Sequence, residues 1–102
     1  MPDNDEMVLE DAGAVVFTLE KALRRAVRNG DPGALRAIKP QHSKALQALA
    51  KARKKLIEGE QIANDADVAE MRRIKGEIDQ AADAQQLVEG AIKFVGFIAK
   101  FV

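Results

Sequence analysis

The chain has 102 residues, enough for one domain with a modest hydrophobic core. Charged residues make up 31% and hydrophobic ones 47%, a folded rather than a disordered composition, and 16 Lys+Arg against 16 Asp+Glu leave a formal net charge of zero. That balance supplies no global field toward nucleic acid or an anionic membrane and favours self-association, while the absence of cysteine excludes disulfides, thiolate metal sites and cysteine nucleophiles.

Helix formers dominate, and no β-branched or aromatic clusters bounded by turns appear, so the pattern predicts an all-α fold in a single domain over residues 1–102. Helix 1 is expected at about 5–29. It begins in an acidic segment that suits a helix N-terminus, and Leu9, Ala12, Val16, Leu19, Leu23 and Ala26 recur on one face. Asn29-Gly30 should end it, after a last turn rich in Lys21, Arg24, Arg25 and Arg28.

Asp31 as N-cap and Pro32 at the first position restart the chain as helix 2, at about 32–58. Its seam runs through Leu35, Ile38, His42, Ala45, Leu49, Ala52 and Leu56. Pro40 lacks a backbone donor and clashes with the preceding turn, which predicts a kink or a break near 40. Gly59 opens a loop at about 59–66, anchored by Ile62.

Helix 3 is expected at about 67–101, capped by Asp67 with Glu70 three residues on. Its seam reads Met71, Ile74, Ile78, Ala81, Gln85, Val88, Ile92, Val95, Ala99 and Val102. Short connections make this an up-down-up three-helix bundle with a kinked or broken second helix and a long third helix. At about 1.5 Å per residue the third helix outreaches its partners by roughly two turns.

The overhanging part, Leu87 to Val102, holds three of the four phenylalanines. It carries a second apolar stripe, Leu87, Gly90, Phe94, Phe97 and Phe101, with Ile98 near the core seam on its other flank. A three-helix bundle covers one such face but not two, and surplus apolar surface marks contact sites. Leu87, Phe94, Phe97, Ile98 and Phe101 are therefore the expected interaction residues. The expected partner is a second copy or a helix of another protein. The alternative within one molecule is that helices 1 and 2 wrap this end. A membrane surface is the other alternative, with Lys93 and Lys100 at the headgroups and the rings inserted, although Glu89 and the lack of Trp weigh against it.

Chemistry is sparse. His42 is the only histidine and Ser43 the only serine, adjacent on a helix and so pointing apart. His42 reads as a polar residue tolerated near Pro40 rather than a base. Asn64, Asp65 and Asp67 lack the glycine and distal glutamate of a calcium loop and read as loop and cap residues. The clusters Lys21, Arg24, Arg25, Arg28 and Lys44, Lys51, Lys54, Lys55 read as solvated faces, and without Tyr or Trp for stacking a nucleic-acid adaptor ranks third. Gln85, on the core seam, is a candidate for setting register. The expectation is a non-enzymatic interaction protein with no cofactor and no metal. The acidic start does not resemble a secretory signal and no run is long and apolar enough to span a bilayer, which points to the cytoplasm.

Overall fold

In the computed structural model, which describes residues 3–102, the chain forms four helices instead of three. They are α1 (Asn4–Arg28), α2 (Pro32–Ile57), α3 (Asp65–Asp79) and α4 (Ala84–Ile98), followed by a 3-10 turn at Ala99–Phe101. The expected all-α class holds. The expected long third helix does not, because it divides between Gln80 and Asp83 into two antiparallel pieces.

The first connection is built as its residues suggest. Gly30 takes the left-handed conformation (φ 63°) that an L side chain rarely adopts, and the amide of Asp31 donates to the carbonyl of Ala26 at 2.9 Å. Asp31 then accepts from the amide of Ala34, and α2 begins at Pro32. The same closing device ends α2, with Gly59 at φ 75°. Between these ends α2 is one helix, and no break occurs at Pro40. Pro40 and Arg36, whose carbonyl loses its donor four residues on, are both exposed, so the site of the missing bond lies on the solvent side of the helix.

α3 starts two residues before the expected position, and its cap lies three residues before the expected one. Asn64 is the cap: its side chain accepts from the Asp67 amide at 2.8 Å, and Asp67 returns the bond to the Asn64 amide at 3.0 Å. In the preceding loop Ala63, not Ile62, is the anchor. Ala63 is buried and its amide donates to Asp5, whereas Ile62 is 78% exposed.

Two bonds reverse the chain between α3 and α4. Asp83 accepts from the amide of Gln86, and the Gln86 side chain accepts from the amide of Ala82, each at 2.8 Å. This is a capping pattern, Asp-x-x-Gln, lodged inside an otherwise continuous apolar repeat.

The topology follows from which helices touch. α1 packs on α2 and α3, and α4 packs on α2 and α3, while α2 and α3 occupy opposite corners. Asn4 bonds Asp65 and Asp11 bonds Arg72, which makes α1 and α3 parallel neighbours. Lys93 meets Glu77 and Lys100 meets Asp67, so α4 runs antiparallel to α3. Two antiparallel hairpins are thus stacked, and residues 58–64 cross the diagonal between them. Since α3 and α4 are short, their hairpin covers only the end of the long α1–α2 pair that holds the chain termini.

The core joins Val8, Val15 and Leu19 of α1, Ile38, Leu49 and Leu56 of α2, and Met71, Ile74 and Ile78 of α3 with the α4 face through Leu87, Phe94, Ile98 and Phe101. Close approach of α3 and α4 depends on Gly90, where an added Cβ would lie 2.6 Å from Cγ1 of the buried Ile78. Gly96, on the same helix, faces open space. Gly90→Ala should therefore destabilise the fold by about 1–3 kcal/mol despite its better helix propensity, because overpacking outweighs the gain. Gly96→Ala should stabilise by up to about 1 kcal/mol. Urea denaturation of the two variants checks this, and equal effects would contradict the packing.

Candidate interaction surfaces

The two apolar stripes of the tail occupy the reverse of their expected positions. Phe94 and Ile98 are fully buried, Phe101 and Leu87 nearly so, and Phe97 is half-buried. The stripe expected to project outward is the inner one. The stripe expected to continue the core is the outer one: Val88 and Val95 are half-buried, Ile92 is 54% exposed, and Ala99 and Val102 are exposed. Gln85, placed on the core seam by its spacing, is exposed as well.

The physical reason lies in the reversal at Gln80–Asp83. A helical phase carries across a sequence only while the helix continues, and here α4 sets its own phase. Phenylalanine side chains remove more apolar area from water than valine or alanine, so the ring-bearing face turns inward. The overhang that would have left this face uncovered is abolished by the same reversal, which brings α4 back alongside α2. That face is covered within the molecule mainly by α2 and α3, and not by helices 1 and 2 together as the within-molecule expectation has it.

Phe97 and Phe101 meet edge to face, with centroids 5.7 Å apart. Lys100 sits over both rings at 5.6 and 5.7 Å and reaches the Asp67 carboxylate at 2.5 Å. Asp67 is buried, a placement that on its own raises a carboxyl pKa and is the largest single influence here. The hydrogen bond from Lys100, the Asn64 amide and the Lys100 charge together outweigh it and hold Asp67 below its usual value. Lys93 pairs with Glu77 at 3.1 Å. Both tail lysines therefore tie α4 to α3 instead of forming a free cationic strip, and the rings that a membrane-inserted tail would use lie in the core.

A second uncovered feature lies on the α1–α2 hairpin, away from α3 and α4. Half-buried Leu23 and Leu35, with Val27 (66% exposed) and Leu46 (50% exposed), line a groove between the two helices. Arg24, Arg28 and Lys39 border it, and His42 and Ser43 complete the lining with no carboxylate among them. His42 thus faces the groove, half-buried, and not the centre of the core.

Charge is distributed unevenly in a way the zero net value conceals. Residues 21–55 contain eleven of the 16 cations and one acid, Asp31, a net charge of +10 that the rest of the chain balances with −10. No acid occurs in α2, whereas α3 carries Asp65, Asp67, Glu70, Glu77 and Asp79. α3 also carries Arg72, Arg73 and Lys75, and the six acids of residues 1–20 lie at the start of the chain and on α1 as far as Glu20, so the cationic excess is a property of α2 and the last turns of α1. The signal was readable by summing charge over a window instead of over the whole chain.

Other features carry less. The cleft where the α3–α4 turn meets α1 and α2 mixes Lys21 and Arg25 with Asp79 and Asp83. Among the described residues no group of three metal-ligating side chains occurs and no helix is long and apolar enough to cross a membrane. Comparison with protein-family models, with curated proteins and with solved structures finds no match.

Asp67 gives a pH signature. Its folded-state pKa lies below the unfolded value of about 3.9, so its stabilisation is present above that pH and is lost as pH falls through the folded value. Asp67→Asn should cost about 1–2 kcal/mol at neutral pH, through the capping box and the Lys100 bond, and flatten the acid limb of the stability profile. Lys100→Met should start the acid loss at higher pH. Thermal melts across pH 2–7 check both, and an unchanged acid limb in Asp67→Asn would contradict the assignment.

Proposed function

We propose that this protein is a non-enzymatic helical interaction module that pairs with a second copy of itself through the outer face of α4. One observation carries the reading: α4 has two apolar stripes, and the bundle buries one fully while the other is only partly covered, with Val88 and Val95 half-buried and Ile92 54% exposed. The outer stripe, Val88, Ile92, Val95, Ala99 and Val102, repeats at intervals of four and three, the spacing by which helices interdigitate. Gly96 and Ala99 keep part of it low, which allows close approach.

A second copy is favoured as occupant by symmetry and charge. A two-fold contact sets a surface against itself, so it must tolerate self-apposition. An apolar stripe does. The stripe's own cations are also drawn aside, Lys93 to Glu77 and Lys100 to Asp67, leaving Glu89 at its edge. The α1–α2 groove, bordered by three cations, would repel its own copy. A single helix pair is a small contact, so the dimer should dissociate on dilution.

The interaction residues proposed from the structure are thus Val88, Ile92 and Val95. Phe94 and Phe101 act by holding the fold: Phe94→Ala should cost about 3–5 kcal/mol, and Phe94→Asp should unfold the chain instead of separating two chains. Sedimentation velocity over a concentration series tests the proposal. The expected result is a monomer–dimer equilibrium abolished by Ile92→Asp, with circular dichroism and melting temperature near those of the parent chain; Val95→Asp, at a position packed partly against the core, should abolish it with a lower melting temperature. A parent chain that stays monomeric at high concentration, or an Ile92→Asp variant that still dimerises, refutes it.

A further inference from the structure

We infer that the groove between α1 and α2 is a second docking site, and that its occupant is an acidic amphipathic helix of another protein. The inference is independent of α4 pairing, since it rests on a different face and a different partner.

The shape specifies a helix. Leu23 and Val27 stand one turn apart on α1, and Leu35 and Leu46 lie on the facing side of α2, leaving a channel between two antiparallel helices. Side-chain ridges of a third helix fit such a channel, whereas a flat lipid surface touches only its rims. The apolar lining selects against nucleic acid, whose phosphates would meet the arginines while leaving the leucines and valine uncovered. The groove also holds no Phe, Tyr or Trp on which a base could stack, and its one ring, the His42 imidazole, is half-buried.

The border specifies the sign. Arg28 and Lys39 have no ion-pair partner among the described residues, and Arg24 alone is paired, with Glu20 on its own helix. No carboxylate lines the groove. The field around it is reinforced by the net +10 of residues 21–55. A helix with an apolar stripe flanked by Glu or Asp would bury Val27 and Leu46 and place its carboxylates against Arg28 and Lys39. Complementary charge speeds such encounters and rejects partners of the wrong sign. This chain's own uncovered stripe on α4 is flanked by Gln85, Gly96, Lys93 and Lys100 on one side and by Ala84 and Ala91 on the other, with Glu89 as its one acid, and does not meet that requirement.

The probe is a synthetic amphipathic peptide with leucines at i, i+3, i+4 and i+7 and flanking glutamates, titrated into the isotope-labelled full chain and followed by NMR. Saturable binding is expected, with shifts concentrated at Leu23, Val27, Leu35 and Leu46 and an affinity that falls with added salt. Leu46→Asp should abolish it, and Arg28→Glu with Lys39→Glu should weaken it about tenfold or more. All three positions are exposed or half-exposed, so the fold should persist, and Val27→Asp serves as a second apolar probe if Leu46→Asp melts early. Ile92→Asp should leave peptide binding intact. The inference is overturned if a peptide carrying lysines in place of the glutamates binds as well. It is equally overturned if the acidic peptide shows no saturable binding at its highest soluble concentration, if its shifts map elsewhere, or if duplex DNA or phosphatidylglycerol vesicles occupy the same residues and the peptide cannot displace them.

Discussion

The reversal at Gln80–Asp83 is the constraint on which the rest of the structure depends. Two hydrogen bonds, from the Gln86 amide to Asp83 and from the Ala82 amide to the Gln86 side chain, stop the α3 pattern and start α4 in a new direction. The contact of Gly90 with Ile78 then sets how closely the returning helix approaches. Without this turn, a single helix would extend past its neighbours and leave Phe94, Ile98 and Phe101 in water. With it, the chain gains a fourth wall and the largest side chains fill the space between α2 and α3.

The polar contacts across the bundle follow from the same event. Bringing α4 back antiparallel to α3 sets Lys93 opposite Glu77 and Lys100 opposite Asp67. The Asp67 carboxylate consequently does two jobs: it completes the cap at the start of α3 and receives the last lysine of the chain. A buried carboxylate with one amide bond would be costly, and the returning lysine makes it favourable. The start of α3 and the turn that follows α4 are joined at this point by side-chain chemistry as well as by apolar packing.

What remains on the surface is defined by what the four-helix arrangement cannot reach. α4 has apolar side chains around most of its circumference, and one bundle face can cover only part of them. The α1–α2 hairpin is longer than the α3–α4 hairpin and is covered on one side only, so Leu23, Val27, Leu35 and Leu46 stay in contact with solvent. The last turns of α1 and the whole of α2 carry cations with no acid but Asp31 between them, which gives this hairpin its positive charge. One surface is therefore apolar and electrically quiet, the other apolar and cationic, and these two characters suit different partners.

Much of the fold was legible in the residues. The helical class, the extents of α1 and α2, the glycine-terminated ends at Gly30 and Gly59, and the seams through Leu19, Leu49 and Ile74 are local properties, set by backbone sterics and by a 3.6-residue period that needs no knowledge of neighbours. The Asp83–Gln86 cap and the charge segregation were also written there, the first hidden by an apolar repeat that ran through it and the second by a net charge of zero. The choice of which α4 stripe faces inward was not. Both stripes have the same spacing, and spacing says that a face is apolar without saying what covers it. That choice waited on the partner helices: once α4 lay beside α2 and α3, the phenylalanine face offered the greater area to bury and the lysines flanking it found carboxylates on α3. The sequence by itself determined which segments are helical and which faces are apolar. Tertiary structure alone decided which apolar faces the molecule buries and which it leaves for something else, because that depends on packing between segments far apart in the chain.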